Sequence, residues 1–443
     1  MALPDLIEIV PLEKPVKAEI TVPGSKSITN RALILAALAE GEVTLTGALW
    51  SEDTQIMVEC LQKLGFEIKV EKDPEEFCNR TITVKGLGGK IPNSGTEEKP
   101  LELFVGNAGT AARFLAAFVC LGDGVYRLSG VPRMHERPQE ALFKALRKLG
   151  YRVESGNEKL PATILGEGHK SGGCEVSIEE SSQFASALLL CAKTGGWTIQ
   201  VVGENAEESP YVAMTLKLIE AFPHKGGKFQ IEPDASSGSY FWAINFLIGA
   251  KIDKQPNVTT RIFPPIRIIS WPKKWRQVDR FWIWQIDMCF PSFFPLPAQI
   301  SRKTDLGDSI MTAIVLAPFN RKIVKFTDLG RLRLQECDRV MALRTELNKC
   351  GVEILEHDET LTVFPSRLHG AEIETYNDHR MAMCFAVLGL KVPGIKIRNP
   401  ACVKKTFPNF FQKLADAPPR GLGATILDGN TGRKLTHEEL FAD

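Results

Sequence analysis

No two cysteines stand in a CxxC pair, although the chain has ten: Cys60, Cys78, Cys120, Cys174, Cys191, Cys289, Cys337, Cys350, Cys384 and Cys402. Most fall in apolar or mixed stretches. Reduced thiols are expected rather than a disulfide framework or a zinc site, and no metal is implied. Net charge is equally scarce: 54 Lys and Arg against 53 Asp and Glu leave +1. No global field favours nucleic acid, so any cationic site must be local. No stretch approaches the ~20 apolar residues of a membrane span. The first residues, MALPDLIEIVPLEKP, carry acids early and no long apolar run. That pattern predicts neither a secretory signal nor a transit peptide, and a cytoplasmic protein with no membrane partner is expected.

What is present is a set of short cationic motifs. They read PGSKSITNR (Pro23 to Arg31), GNAGTAARF (Gly106 to Phe114), PRMHERP (Pro132 to Pro138), SSQF (Ser181 to Phe184), ECDR (Glu336 to Arg339), NDHRMAM (Asn377 to Met383) and KKTFP (Lys404 to Pro408). Most pair a cation or small hydroxyl with a turn-forming Gly or Pro, chemistry suited to phosphate and carboxylate. A chain of 443 residues exceeds one ordinary core, so two domains or more are expected. Motifs this dispersed predict one site assembled from many loops on two halves.

A weak repeat organises the chain. Leu61-Gln-Lys-Leu-Gly65-Phe-Glu-Ile recurs as Leu146-Arg-Lys-Leu-Gly150-Tyr-Arg-Val and as Leu347-Asn-Lys-Cys-Gly351-Val-Glu-Ile. A degenerate copy runs Leu216 to Phe222, with Pro223 in the Gly place. A helical period precedes each Gly and an alternating one follows it. The unit is helix, Gly stop, strand, used several times in an α/β fold. Ser27 to Ala39, Asn107 to Leu121, Ser182 to Lys193 and Asp378 to Leu390 also read as helices. Each carries a polar motif at its start, where free N–H groups and the dipole favour anions.

Residues 251–300 break this grammar. They hold four of the seven Trp (Trp271, Trp275, Trp282, Trp284), and seven Pro fall between 256 and 297. Such local inconsistency predicts no well-defined fold there. The tail after Ala417 reads as an appendage ending in a short helix.

Some motifs can be read alone. Lys26 can reach a carboxylate or phosphate, and Arg31 lies one turn beyond Ser27 on the same face. The same residues suit a solvated helix cap equally well. Ser181, Ser182 and Gln183 suit either sugar-phosphate oxygens or a helix cap. GNAGTAARF by itself is a weak cradle signal. Aromatics and cations over 271–284 suggest single-stranded nucleic-acid binding, but only as a remote alternative.

Together and in order, these motifs resemble the 5-enolpyruvylshikimate-3-phosphate synthase family over about residues 7 to 415, less clearly at 251–300. The resemblance implies an α/β fold: a two-domain inside-out α/β barrel of repeated β-α-β-α-β-β units, three per domain, with the active site in the interdomain cleft. The first domain would comprise 1–22 and 241–415 and the second 23–240, with 251–300 anomalous and 416–443 appended. The implied reaction moves the enolpyruvyl group of phosphoenolpyruvate to the 5-hydroxyl of shikimate 3-phosphate. No cofactor or nucleic acid takes part, and the enzyme would be a monomer.

By that resemblance Lys26, Asp308 and Glu336 are catalytic. Asp308 accepts the hydroxyl proton, and Glu336 exchanges one at the phosphoenolpyruvate methylene. Shikimate 3-phosphate would meet Lys26, Ser27, Arg31, Ser181, Ser182, Gln183, Tyr211, Asp308 and Gln335. Phosphoenolpyruvate would meet Lys26, Asn107, Gly109, Thr110, Arg137, Gln183, Arg339, His379, Arg380 and Lys405. Arg113, Arg133 and His379 also suit purely structural roles.

The chain departs from the family at Gln335 (usually Lys), Arg331 (usually Asn), Glu208 (usually Ser) and Phe114 (commonly Pro). Loss of the Lys weakens the phosphate side, Arg331 compensates in part, and Phe114 predicts altered glyphosate sensitivity. The related UDP-N-acetylglucosamine enolpyruvyl transferases usually carry a reactive Cys in the loop that is 130–138 here, and this loop has none. A catalytically impaired binding protein of the same fold is the other alternative.

Overall fold

A computed structural model describes residues 3–203, 209–248, 266–269 and 285–442. The described residues divide into two compact units. One holds those of Met1–Val22, Pro233–Lys274 and Ile286–Asp443; the other holds those of Pro23–Glu232 and Trp275–Gln285.

The repeat folds as its period requires. Helix Glu52–Lys63 stops before Gly65 (φ +94°), and strand Ile68–Lys72 follows. Helix Glu140–Lys148 with Gly150 (φ +90°), and helix Arg339–Lys349 with Gly351 (φ +84°), repeat the pattern. These left-handed conformations are open to Gly without steric cost. The degenerate copy forms helix Pro210–Ala221, and strand Gly227–Gln230 follows.

Four four-stranded sheets share one plan: a parallel pair followed by two antiparallel neighbours. In the second unit the strand orders are Gly227–Gln230, Glu42–Leu49, Asn79–Lys85, Ile68–Lys72, and Leu101–Phe104, Asp123–Ser129, Ala162–Glu167, Arg152–Ser155. In the first they are Gln299–Ser301, Val324–Thr327, Thr360–Val363, Ile354–His357, and Glu372–Ile373, Ile395–Arg398, Leu6–Ile9, Ile426–Asp428. A parallel pair completes each unit among the described residues: Gly172–Ser177 with Trp197–Val202, and Ala18–Ile20 with Ile266–Ile268.

The helices lie inside these sheets. Helices Lys26–Leu38, Gly109–Phe118 and Ser182–Gly195 pack on one another in the second unit. Ala235–Ile248, Ile310–Leu316 and His379–Gly389 do so in the first. Every residue of Gly109–Phe118, Ile310–Leu316 and His379–Gly389 is buried. Strands alternate instead: Leu45 and Ile82 face each other in the core, while Glu42 and Lys85 face water. Helices that are apolar all round must be buried, so this sequence puts them at the centre and covers them with half-buried strands.

Two expectations meet a different outcome. Most of the anomalous segment, including all four of its Trp, lies outside the described residues, as does Glu208. Its end, however, is packed. The 3-10 turn Ile286–Phe293 buries Phe290, whose ring stands 5.1 Å from Phe294. Phe294 in turn stacks on Phe246 at 4.8 Å. The aromatics that look irregular in sequence are anchors for helix Ala235–Ile248. The tail is likewise no loose appendage: Ile426–Asp428 pairs with Leu6–Ile9, and Leu435, Leu440 and Ala442 are buried. Its short helix is the 3-10 turn Glu438–Leu440.

Candidate active site

Four of the six inner helices, Lys26–Leu38, Gly109–Phe118, Ser182–Gly195 and His379–Gly389, begin at a sequence motif, so each unit gathers polar residues around helix starts. In the second unit, Lys26 opens its helix and pairs with buried Asp53 at 3.0 Å. The preceding loop is clamped, since Gly24 N donates to Asn79 Oδ1 (2.8 Å) and Ser25 N to the Glu232 carbonyl (2.7 Å). Arg31 turns inward and is 2% exposed. It donates to Thr215 Oγ1 (2.8 Å), Ser186 Oγ (3.0 Å) and the Ser27 carbonyl (2.9 Å), and its guanidinium lies 5.2 Å from the Phe114 ring centroid. Burial among these neutral groups pulls its pKa down to about 10, which leaves it charged at neutral pH. Tyr211 enters through its carbonyl, which accepts from Thr215 Oγ1 at 2.8 Å.

The second helix start belongs to Asn107, Gly109 and Thr110. Arg137 Nη1 donates to the Asn107 carbonyl at 3.3 Å. A Cβ on Gly109 would stand 2.5 Å from Arg137 Nη2 and 2.7 Å from Arg113 Nη1, so any larger residue would push these guanidinium groups back. Gln183 Nε2 donates to Thr110 Oγ1 at 3.2 Å, joining this start to that of Ser182–Gly195. Ser181 is that helix's N-cap, accepting from Gln183 N at 3.2 Å, with Ser182 buried beside it. Arg113 is a clip, donating to the carbonyls of Gly109 (3.1 Å) and Pro138 (2.7 Å). Arg133 pairs with Glu136 at 2.6 Å.

Glu232 is 3% exposed and accepts from Gln285 Nε2 at 3.1 Å. Burial pushes its carboxyl up to about 7, against a smaller downward pull from Gln285. The folded state therefore holds this proton longer than the unfolded state. Stability falls as pH rises from ~4.3 to the folded value, and the cost is complete above it. Glu232→Gln is expected to stabilise the protein by about 2 kcal/mol more at pH 8 than at pH 4.5. Urea midpoints at the two pH values check this, and an equal gain at both would contradict it.

The first unit holds the denser cluster. Arg339 is 1% exposed and donates to Asp378 (2.6 and 3.3 Å), Glu336 Oε2 (2.8 Å) and Gln335 Oε1. Lys405 Nζ stands 3.1 Å from Glu336 Oε1. Asp308 meets Arg302 at 2.8 Å, Arg380 at 3.2 Å and Arg339 at 3.8 Å. Burial works to raise the Asp308 carboxyl, but Arg380, Arg302 and Arg339 outweigh it and hold it well below the usual aspartate range. Burial likewise works to lower Arg339 and Arg380, while their carboxylates raise both above the ordinary arginine value. His379 is buried, with Nδ1 3.8 Å from Asp378 Oδ1.

Residues of each set thus meet within their own unit: Asn107, Gly109, Thr110, Arg137 and Gln183 in one; Asp308, Gln335, Glu336, Arg339, Arg380 and Lys405 in the other. Sequence reading passed over Asp378, Asp53 and Arg302. Asp378 had a usable signal, an Asp preceding a helical run, and it caps that helix by accepting from Arg380 N at 2.8 Å. Asp53 and Arg302 had none; only the fold brings them to Lys26 and Asp308. Among the described residues, no group of three or more His, Cys, Asp or Glu could hold a metal ion. None of their helices is long and apolar enough to cross a membrane.

Comparison with known proteins adds the family. The model of EPSP synthase (3-phosphoshikimate 1-carboxyvinyltransferase) matches residues 10–225 and 223–414. The 3-phosphoshikimate 1-carboxyvinyltransferase of Trichormus variabilis is 36% identical over 444 residues, covering 93% of this chain and 98% of the relative. That of Pseudomonas syringae pv. syringae is 35% identical over 437 residues, covering 92% and 97%. Among solved structures, EPSP synthase from Acinetobacter baumannii aligns with TM-score 0.64 at 21% identity, covering 95% of this chain and 99% of that one. The enolpyruvyl transferase NikO from Streptomyces tendae aligns with TM-score 0.64 at 15% identity, covering 96% and 99%. These structural likenesses speak for the fold.

Proposed function

The chain belongs to the EPSP synthase (3-phosphoshikimate 1-carboxyvinyltransferase) family, and on that premise we propose that it transfers enolpyruvyl from phosphoenolpyruvate to the 5-hydroxyl of shikimate 3-phosphate. The observation that carries the reading is the Asp308–Glu336 pair inside its arginine and lysine cage. Asp308 takes the hydroxyl proton as the oxygen bonds to C2 of phosphoenolpyruvate. A proton reaches the methylene carbon through Glu336, whose carboxylate sits between Lys405 and Arg339. The tetrahedral intermediate then loses phosphate, and the methyl group returns its proton as the double bond re-forms. Arg339, Arg380, His379, Lys405 and Arg137, with Asn107, Gly109, Thr110 and Gln183, bind phosphoenolpyruvate. Lys26, Ser27, Arg31, Ser181, Ser182, Tyr211 and Gln335 serve shikimate 3-phosphate, with Lys26 at both substrates.

The cage explains how a carboxyl held so low becomes a base. Two anionic substrates share the field of Arg339 and Arg380, which weakens their hold on the Asp308 charge and raises its proton affinity.

Phosphate release measured with both substrates tests the reading. Release with UDP-N-acetylglucosamine as acceptor and none with shikimate 3-phosphate would overturn it. Binding of both substrates without turnover would favour the impaired-protein alternative. We also read the chain as a cytoplasmic monomer, which cell fractionation and size-exclusion chromatography would check.

Gly109→Ala gives a sharper test of the phosphoenolpyruvate side. Its new Cβ falls within 2.5 Å of Arg137 Nη2, so that guanidinium must retreat. The KM for phosphoenolpyruvate is expected to rise about tenfold, with little change for shikimate 3-phosphate. Glyphosate inhibition should weaken with it. Equal shifts in both KM values would count against this placement.

A further inference from the structure

We propose that Asp287 is a positioning residue for Asp308. This rests on the reading of Asp308 as the base. Asp287 comes from the part of the sequence that looks least regular, yet it is 4% exposed and accepts three hydrogen bonds. Ser309 N donates to its Oδ1 at 3.0 Å and Ser309 Oγ at 2.7 Å, and Ser236 Oγ donates to its Oδ2. Ser309 follows Asp308 directly and is the N-cap of helix Ile310–Leu316.

Ser309 has a helical backbone (φ −66°, ψ −10°) rather than the extended one of a capping serine, and its hydroxyl is given to Asp287. Both the backbone and the side chain beside the base are therefore fixed from outside the helix. Ser236 carries the tie to helix Ala235–Ile248, and Ser239 Oγ adds a second link to Thr312 Oγ1 at 2.9 Å. Arg302 and Arg380 fix the Asp308 carboxylate while Asp287 fixes its backbone, so the reach of the base is set from two sides. The Asp287 carboxylate also contributes to the field that keeps Arg380 charged.

The test compares Asp287→Ala, Asp287→Asn and Ser309→Ala in the full-length protein, with phosphate release as the readout. Misplacing a reacting group by about an ångström costs up to ~100-fold in rate. Asp287→Ala is expected to lower kcat about 30-fold, with each KM within about threefold. Asp287→Asn keeps an oxygen for Ser309 and is expected to restore kcat to within about fivefold of the parent. Ser309→Ala should fall between the two. A folded Asp287→Ala with parental kcat, or an equal loss in Ala and Asn, would overturn the proposal. If Asp287→Ala does not fold, parental kcat in Ser309→Ala overturns it instead. Asp308→Asn separates the two failures. If it remains active, the reading of the base fails. If it is inactive while Asp287→Ala is unaffected, only the positioning role fails.

Discussion

Asp308→Asn is expected to lower kcat by about a hundred- to ten-thousand-fold, the range a positioned general base supplies. The change is nearly isosteric and keeps one oxygen for Arg302, which now sits 2.8 Å from Oδ1. It removes the charge that competes with anionic substrates for Arg339 and Arg380. The KM values should therefore hold or fall while kcat collapses, which separates loss of a base from loss of a binding group. Because the carboxyl is held below the ordinary aspartate range, its pairing stabilises the fold above ~3.9, and this support fades as pH falls toward the folded value. The variant forfeits that support at neutral pH, so its urea midpoint should be lower and less sensitive to acid. The same low value means that Asp308 in the free protein sets no acid limb near neutrality. Steady-state phosphate release checks the rates, and turnover within a few-fold of the parent would remove Asp308 from the mechanism.

The architecture was legible because its signals are local and repeated. Gly65, Gly150 and Gly351 each end a helical period, and the structure spends each on a positive φ. Motifs at helix starts were legible for a related reason: small, polar and Gly residues interrupt otherwise apolar helices only where backbone N–H groups are exposed. Partner acids were harder to see. Asp53 and Asp287 matter because of which cation or hydroxyl folding brings to them, and spacing along the chain carries no trace of that; the cap signal at Asp378 likewise does not name its partner Arg339. The end of the anomalous segment misled for a similar reason. Phe290 and Phe294 follow no period, yet they pack against Trp242 and Phe246 one helical turn apart. Contacts of that kind are set by the partner's surface, and periodicity cannot report them.

Arg339→Met should be the most damaging substitution to stability. Arg339 is almost fully buried, with Asp378, Glu336 and Asp308 all within 4 Å. Two of these keep other cations: Lys405 for Glu336, and Arg302 with Arg380 for Asp308. Asp378 loses its closest cation and keeps the Arg380 backbone N–H and the weak Cys337 thiol donor. An uncompensated buried carboxylate typically costs ~3–5 kcal/mol. The variant is expected to lose that much in urea unfolding, and phosphate release should drop by about a thousandfold. Arg339→Lys retains the charge but cannot fork between Asp378 and Glu336, so it should lose less stability and nearly as much activity. The cause can be isolated by adding Asp378→Asn to Arg339→Met. If the stranded charge is the cost, the double variant regains about half of the lost stability without regaining turnover. If the two losses simply add, Asp378 is not the group that Arg339 holds in place.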